Sequence, residues 1–191
     1  MNQLANRNPI RVVMGLDGQV EANPVMKLGG NRRFVFHIEC LDKDGNLKWE
    51  DTFDDLVVNV GLDDSLDKHL KGSAYTAAWY VGLTDGTPTV AAGDTMASHV
   101  GWTEITDYSE SVRQTLTLGT VSSQSVDNSA SKAVYSINGT ATVGGAFVVT
   151  DSTKGGTSGI LYGAGAFTTG DKSVSSGDTL NVTVTCTTAA A

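Results

Sequence analysis

The 191-residue sequence predicts a mainly β protein: an antiparallel sandwich or jelly-roll-like domain with one or two short helices and an extended N-terminal arm. Three observations predict it. RFVFHIEC alternates Phe34, Phe36, Ile38 and Cys40 with Val35, His37 and Glu39, the period of a half-buried strand. After Tyr108 the charged residues thin out, and short runs rich in Ser, Thr and Val alternate with turn clusters such as DNSAS, DSTKGGTSG and TTGDKSVSSGD. Residues 1–32, by contrast, carry Pro9, Pro24 and LGGN around one short apolar run, Ile10 to Met14, which is too little to build a core.

These observations divide the chain into an extended arm over 1–32 and a β-rich domain over 33–191. The first strand is followed by LDKDGNLKW, an Asp-Gly turn and a partner strand carrying Leu47 and Trp49, so the domain opens with a hairpin. The spacing predicts a helix over 61–71. There Leu62, Leu66 and Leu70 recur every fourth residue, Asp63 and Asp64 favour the first turn, Lys68, His69 and Lys71 lie near the end, and Gly72 follows. YTAAWYVGL reads as a buried strand with Tyr75, Ala77, Trp79 and Val81 on one face, covered by Met96 and Trp102. DTMASHVG suggests a second helical turn, with Asp94 as its N-cap and Gly101 as its stop. SVRQTLTLGTV, KAVYSI, TATVGGAFVVT, GILYGAGAF and TLNVTVTCTT supply the remaining strands. Thr and Val alternate along 182–187, one face for the core and one for water.

Composition narrows the function. A hydrophobic content of 40% suits a globular chain, and no apolar run approaches the roughly 20 residues of a membrane helix. The polar N-terminus has no apolar signal core, so Asn138 and Asn181 are expected to carry no sugar, and Cys40 and Cys186 to be free thiols. A net charge of −8 argues against direct nucleic-acid binding. Arg7, Arg11, Lys27, Arg32 and Arg33 form the one basic concentration, read either as a solvated arm or as a contact with an acidic protein partner or a nearby nucleic acid. The candidate partner-contact residues are Arg7, Arg11, Arg32 and Arg33.

No motif predicts catalysis, a cofactor or a metal. His37, His69 and His99 fall in no ligand spacing. DKDGN begins like a calcium loop, but the sixth and twelfth positions counted from Asp42 are Leu47 and Phe53, so it reads as a turn. KGGTSG lacks the order of a phosphate loop, and no Ser stands in G-x-S-x-G. The neighbouring acids Glu50/Asp51 and Asp54/Asp55 point apart on a strand or turn and give no acid-base pair. Trp79, Tyr80 and Trp102 read as packing residues in preference to a sugar-stacking platform. The expectation is a protein that is not an enzyme.

Four blocks, NVGLDDSLDKHLKGSAYTAAWYVGL, AAGDTMASHVGWTE, VDNSASKAVYSINGTATVGGAFVV and LYGAGAFTTGDKSVSSGDTLNVTVT, in this order resemble a family of small virion structural proteins of tailed bacteriophages and prophages. The resemblance spans residues 33–187. It implies a capsid decoration or cement protein that stabilises subunit junctions, with the major capsid protein or other virion proteins as partners. It also implies a homo-oligomer, assembled in the host cytoplasm into the virion. The alternatives are a tail or head-to-tail component, or a carbohydrate-binding receptor module.

Overall fold

The structure is a computed structural model that describes residues 32–74 and 78–188. In it, β1 (Arg32–Leu41) and β2 (Leu47–Asp54) form the expected antiparallel hairpin. The hairpin turn is held by its own side chains: Asp42 Oδ1 accepts the N–H groups of Asp44 and Asn46 at 2.8 and 2.9 Å. Gly45, at φ 82°, takes the left-handed position that side-chain-bearing residues avoid. DKDGN is thus a turn, as its spacing indicates.

β1 also pairs along its whole length with β11 (Thr179–Thr188), from Arg32 opposite Thr188 to Leu41 opposite Thr179. β11 carries β6 (Ser125–Asp127) and β7 (Ala133–Ser136) along its other edge, completing the first sheet in the order β2-β1-β11-β6/β7. The second sheet runs β3 (Leu56–Val57), β9 (Leu161–Ala166), β8 (Ala141–Val149), β4 (Tyr80–Asp85) and β5 (Gln114–Thr115), with β10 (Lys172–Val174) beside β8. All strand pairs are antiparallel. The protein is mainly β, two antiparallel sheets facing each other across one core.

That core is made by the alternation seen in the sequence. Phe34, Phe36, Ile38 and Cys40 of β1 and Leu180, Val182 and Val184 of β11 point inward and meet Val81, Leu83, Val143, Val148 and Tyr162 of the second sheet. Aromatic contacts cross the gap, Phe34 against Tyr162 at 6.5 Å and Phe53 against Phe167 at 5.2 Å. Tyr135 donates its hydroxyl hydrogen to the Val81 carbonyl at 2.6 Å, which ties the sheets together without leaving a buried hydroxyl unpaired.

The second sheet has a further layer on its outer face. Val58, Met96, Trp102, Phe147, Val149, Leu161 and Ala164 form a second cluster there. β8, with apolar cover on both sides, is therefore buried from Val143 to Val149 and does not alternate. This corrects the expectation that Met96 and Trp102 cover the face shared by Trp79 and Val81. Trp79 packs edge-on against Tyr162 at 4.3 Å in the inner core, whereas Trp102 lies over Phe147 at 4.9 Å on the opposite side of the sheet. The strand itself begins at Tyr80; Tyr75 and Ala77 lie outside the described residues.

Two other expectations change. DTMASHVG is not a helix but a turn closed by reciprocal backbone hydrogen bonds between Thr95 and Ser98, and Asp94 accepts the Ala91 N–H at 3.0 Å. A brief 3-10 turn at Ser129–Ser131 is the second helical piece. SVRQTLTLGTV forms a strand only at Gln114–Thr115; just before it the Arg113 N–H donates to the Ser152 carbonyl at 2.8 Å and the Arg113 side chain turns inward. Fully buried, its guanidinium donates to both oxygens of Glu104 at 2.9 and 2.7 Å and to the carbonyls of Asp151 and Gly156 at 3.0 and 2.6 Å. Phe147 lies 5.2 Å beneath it. Four protein acceptors and an aromatic face replace its water shell, so the charge is accommodated in the interior.

Candidate functional site

The one α-helix among the described residues, α1 (Asn59–Leu70), sits at one corner of the sandwich on β9. It starts two residues earlier than the spacing predicts, which places Asp63 and Asp64 beyond the first turn. Its orientation is the larger surprise. Val58, just before it, is buried in the outer cluster and donates its N–H to the Tyr162 carbonyl at 3.0 Å, fixing the entry. Gly61 then lies directly on β9: a Cβ there would fall 2.8 Å from the Tyr162 Cα. No apolar side chain fits in so narrow a gap.

Apart from Val60, which packs half-buried on the outer cluster, the face turned to the domain is accordingly small and polar. Tyr162 donates its hydroxyl hydrogen to Asp64 at 2.5 Å, and that contact together with burial pushes the phenol up to about 12, burial being the larger cause. Ser65 bonds back to the Gly61 carbonyl at 2.9 Å and accepts from the guanidinium of Arg32 at the start of β1. Leu62, Leu66 and Leu70 consequently face outward, with 43%, 56% and 79% of their surfaces exposed. The periodicity identified the helix, but its apolar stripe is turned to solvent. Acidic groups flank the stripe, Asp67 pairing with Lys71 at 2.8 Å.

Beside α1 the ends of the two sheets leave an open apolar cavity of about 390 Å³, lined among others by Phe34, Trp79, Leu116, Leu118, Val126 and Tyr162. Arg32 and Thr188 also line it, so the first and last described residues of the chain meet at its wall. Cys186 lies there half-buried, and burial raises its thiol; Cys40 is fully buried in the main core and burial pushes it up to about 11. Both cysteines are free.

The candidate partner-contact arginines are not gathered in the described structure. Arg7 and Arg11 lie outside the described residues, as does the rest of the arm before Arg32. Arg32 is engaged with Ser65, and Arg33 pairs with Asp54 of its own chain at 2.5 Å on an exposed surface. A grouping that the sequence did not suggest lies on the outer face of the first sheet, where β1 and β2 bring His37, Glu39 and Glu50 together. Their separation in sequence hid it, since Glu50 arrives only through the hairpin register. No family model and no curated protein matches the chain.

Proposed function

We propose that this chain is a structural component of a tailed-bacteriophage virion, a decoration protein that seats on the capsid and stabilises subunit junctions. The observation that carries the proposal is the outward leucine face of α1. Three large aliphatic side chains on one helix face, next to the point where the first 31 residues join β1, are suited to being covered by a neighbouring protein. The two-sheet core supplies the rigid platform behind that face, and the resemblance of the four sequence blocks to small virion proteins suggests the biological setting. In this reading the arm, with Arg7 and Arg11, lies along acidic groups of the capsid, while α1 packs on an apolar strip beside them. Repetition over a symmetric shell multiplies each contact.

The test is made on purified particles. Leu62→Lys together with Leu66→Lys should give a folded, soluble protein that is missing from virions, and deletion of residues 2–30 should do the same. The wild-type chain should be present in many copies, in fixed proportion to the major capsid protein. Presence in only a few copies per particle, at the tail, would replace decoration by a tail or head-to-tail role. Normal incorporation of the leucine variant would remove α1 as the attachment face.

A further inference from the structure

We propose that His37, Glu39 and Glu50 form a binding site for a first-row divalent transition-metal ion, zinc being the best match to one imidazole and two carboxylates. The hairpin register creates it. Glu39 stands directly opposite Glu50, and His37, two residues from Glu39 and so on the same face, stands opposite Thr52. His37 Nε2 lies 3.8 Å from Glu39 Oε1 and 3.9 Å from Glu50 Oε2, and the three ligand atoms all lie within 4.8 Å of one another. An ion equidistant from the three would sit about 2.5 Å from each or closer, and small rotations of these surface side chains reach the usual ~2.0–2.2 Å.

Two further features favour a ligand. His37 Nδ1 lies 3.0 Å from the Thr52 hydroxyl oxygen. With the proton on Nδ1 donated to Thr52, the Nε2 lone pair is left aimed between the two carboxylates, the arrangement by which an outer partner orients a metal-binding imidazole. The charges are also unbalanced. Directly opposed carboxylates destabilise a strand pair. Lys132 answers Glu39 through Oε2, leaving Oε1 toward His37, while Glu50 has no Lys or Arg partner among the described residues. A dication between the three cancels that repulsion. The imidazole donor argues against calcium and magnesium, which favour all-oxygen shells. The site is on the outer face of the first sheet, away from α1, and does not depend on the virion role.

The experiment is a calorimetric titration of the untagged full chain with zinc chloride, with calcium and magnesium chloride as controls. A cobalt(II) titration adds a read-out of ligand-field bands, and His37 ring nitrogen shifts are followed by NMR. One equivalent of zinc should bind, the His37 Nε2 resonance should move, and Nδ1 should keep its proton. Thr52→Val should weaken binding about tenfold. His37→Asn and Glu50→Gln should each abolish one-equivalent binding, while His69→Asn leaves it unchanged. These side chains are at the surface, so the variants should stay folded, and metal-free Glu50→Gln, which relieves the opposed carboxylates, should melt no lower than the wild type. Absence of one-equivalent zinc binding, or binding that survives either His37→Asn or Glu50→Gln, overturns the proposal.

Discussion

Replacing Asp55 with Asn should remove a pH dependence of stability that can be worked out from the structure. Asp55 joins β2 to β3, where its Oδ1 accepts the Phe34 N–H at 2.9 Å and its Oδ2 is buried with no hydrogen-bond partner among the described residues. Burial is the dominant influence and raises the carboxyl from 3.8 to about 7, against the opposing effect of the Phe34 N–H. The native state therefore holds this proton more tightly than the unfolded chain does. The resulting stability is present in full below pH 3.8 and is lost as the pH climbs through about 7. About three pH units at roughly 1.36 kcal/mol each set an upper bound of about 4 kcal/mol, and water access with local relaxation brings the expected change to about 2 kcal/mol. Asn keeps the shape and the acceptor for Phe34 but carries no proton to lose. Relative to wild type, Asp55→Asn should gain about 2 kcal/mol between pH 4 and pH 8, a relative rise of about 4–8 °C in Tm for a chain of this size. Any fixed penalty from burying the amide is the same at both pH values and drops out of the comparison. Urea unfolding at the two pH values measures it. A difference between the two proteins that stays flat with pH would mean that Asp55 ionises normally in the fold, and the reasoning would fail.

Other substitutions probe the elements that hold the sandwich and seat α1. Arg113→Ala should destabilise by about 3–5 kcal/mol, because it leaves the buried Glu104 carboxylate without its cation; adding Glu104→Gln should recover part of the loss, and a single-variant loss below about 1 kcal/mol would contradict the buried pair. Gly61→Ala would gain about 1 kcal/mol in a free helix, but here the new methyl meets β9, so the net effect should be a loss of about 1–3 kcal/mol, with a raised Tm counting against the seating of α1. Thiol titration should find two reactive groups in denaturant; in the native protein Cys186 should react before Cys40, which is fully buried and whose thiol is pushed to about 11.

What could be read from the sequence follows from whether a signal is local. β1 declares itself by strict alternation because one of its faces meets the core and the other meets water. α1 declares its existence by leucine spacing but not its direction, since the deciding contact is between Gly61 and a strand about a hundred residues away. β8 hides its alternation under a second apolar layer that Met96 and Trp102 bring from a distant turn. The same holds for the sites. Glu50 comes next to His37 and Glu39 only after the hairpin has closed, with a register irregularity at Cys40/Leu41 that no spacing rule anticipates. Arg113 looks like an ordinary surface residue of a polar strand until Glu104 and the Asp151–Gly156 loop close around it.

The pairing of Arg32 with Thr188 sets how the domain responds to force. Both ends of the described chain leave from the same corner, on neighbouring antiparallel strands whose hydrogen bonds lie perpendicular to them. Tension applied between residues before Arg32 and after Thr188 therefore opens the β1–β11 ladder like a zipper, one rung at a time, and the sandwich yields at low load. The Arg32 guanidinium also donates to Ser65 of α1, so this end of β1 is held to the helix as well as to β11. In the proposed attachment through the arm and α1, both anchors lie on the β1 side, and the pull that unzips β1 from β11 would not be applied.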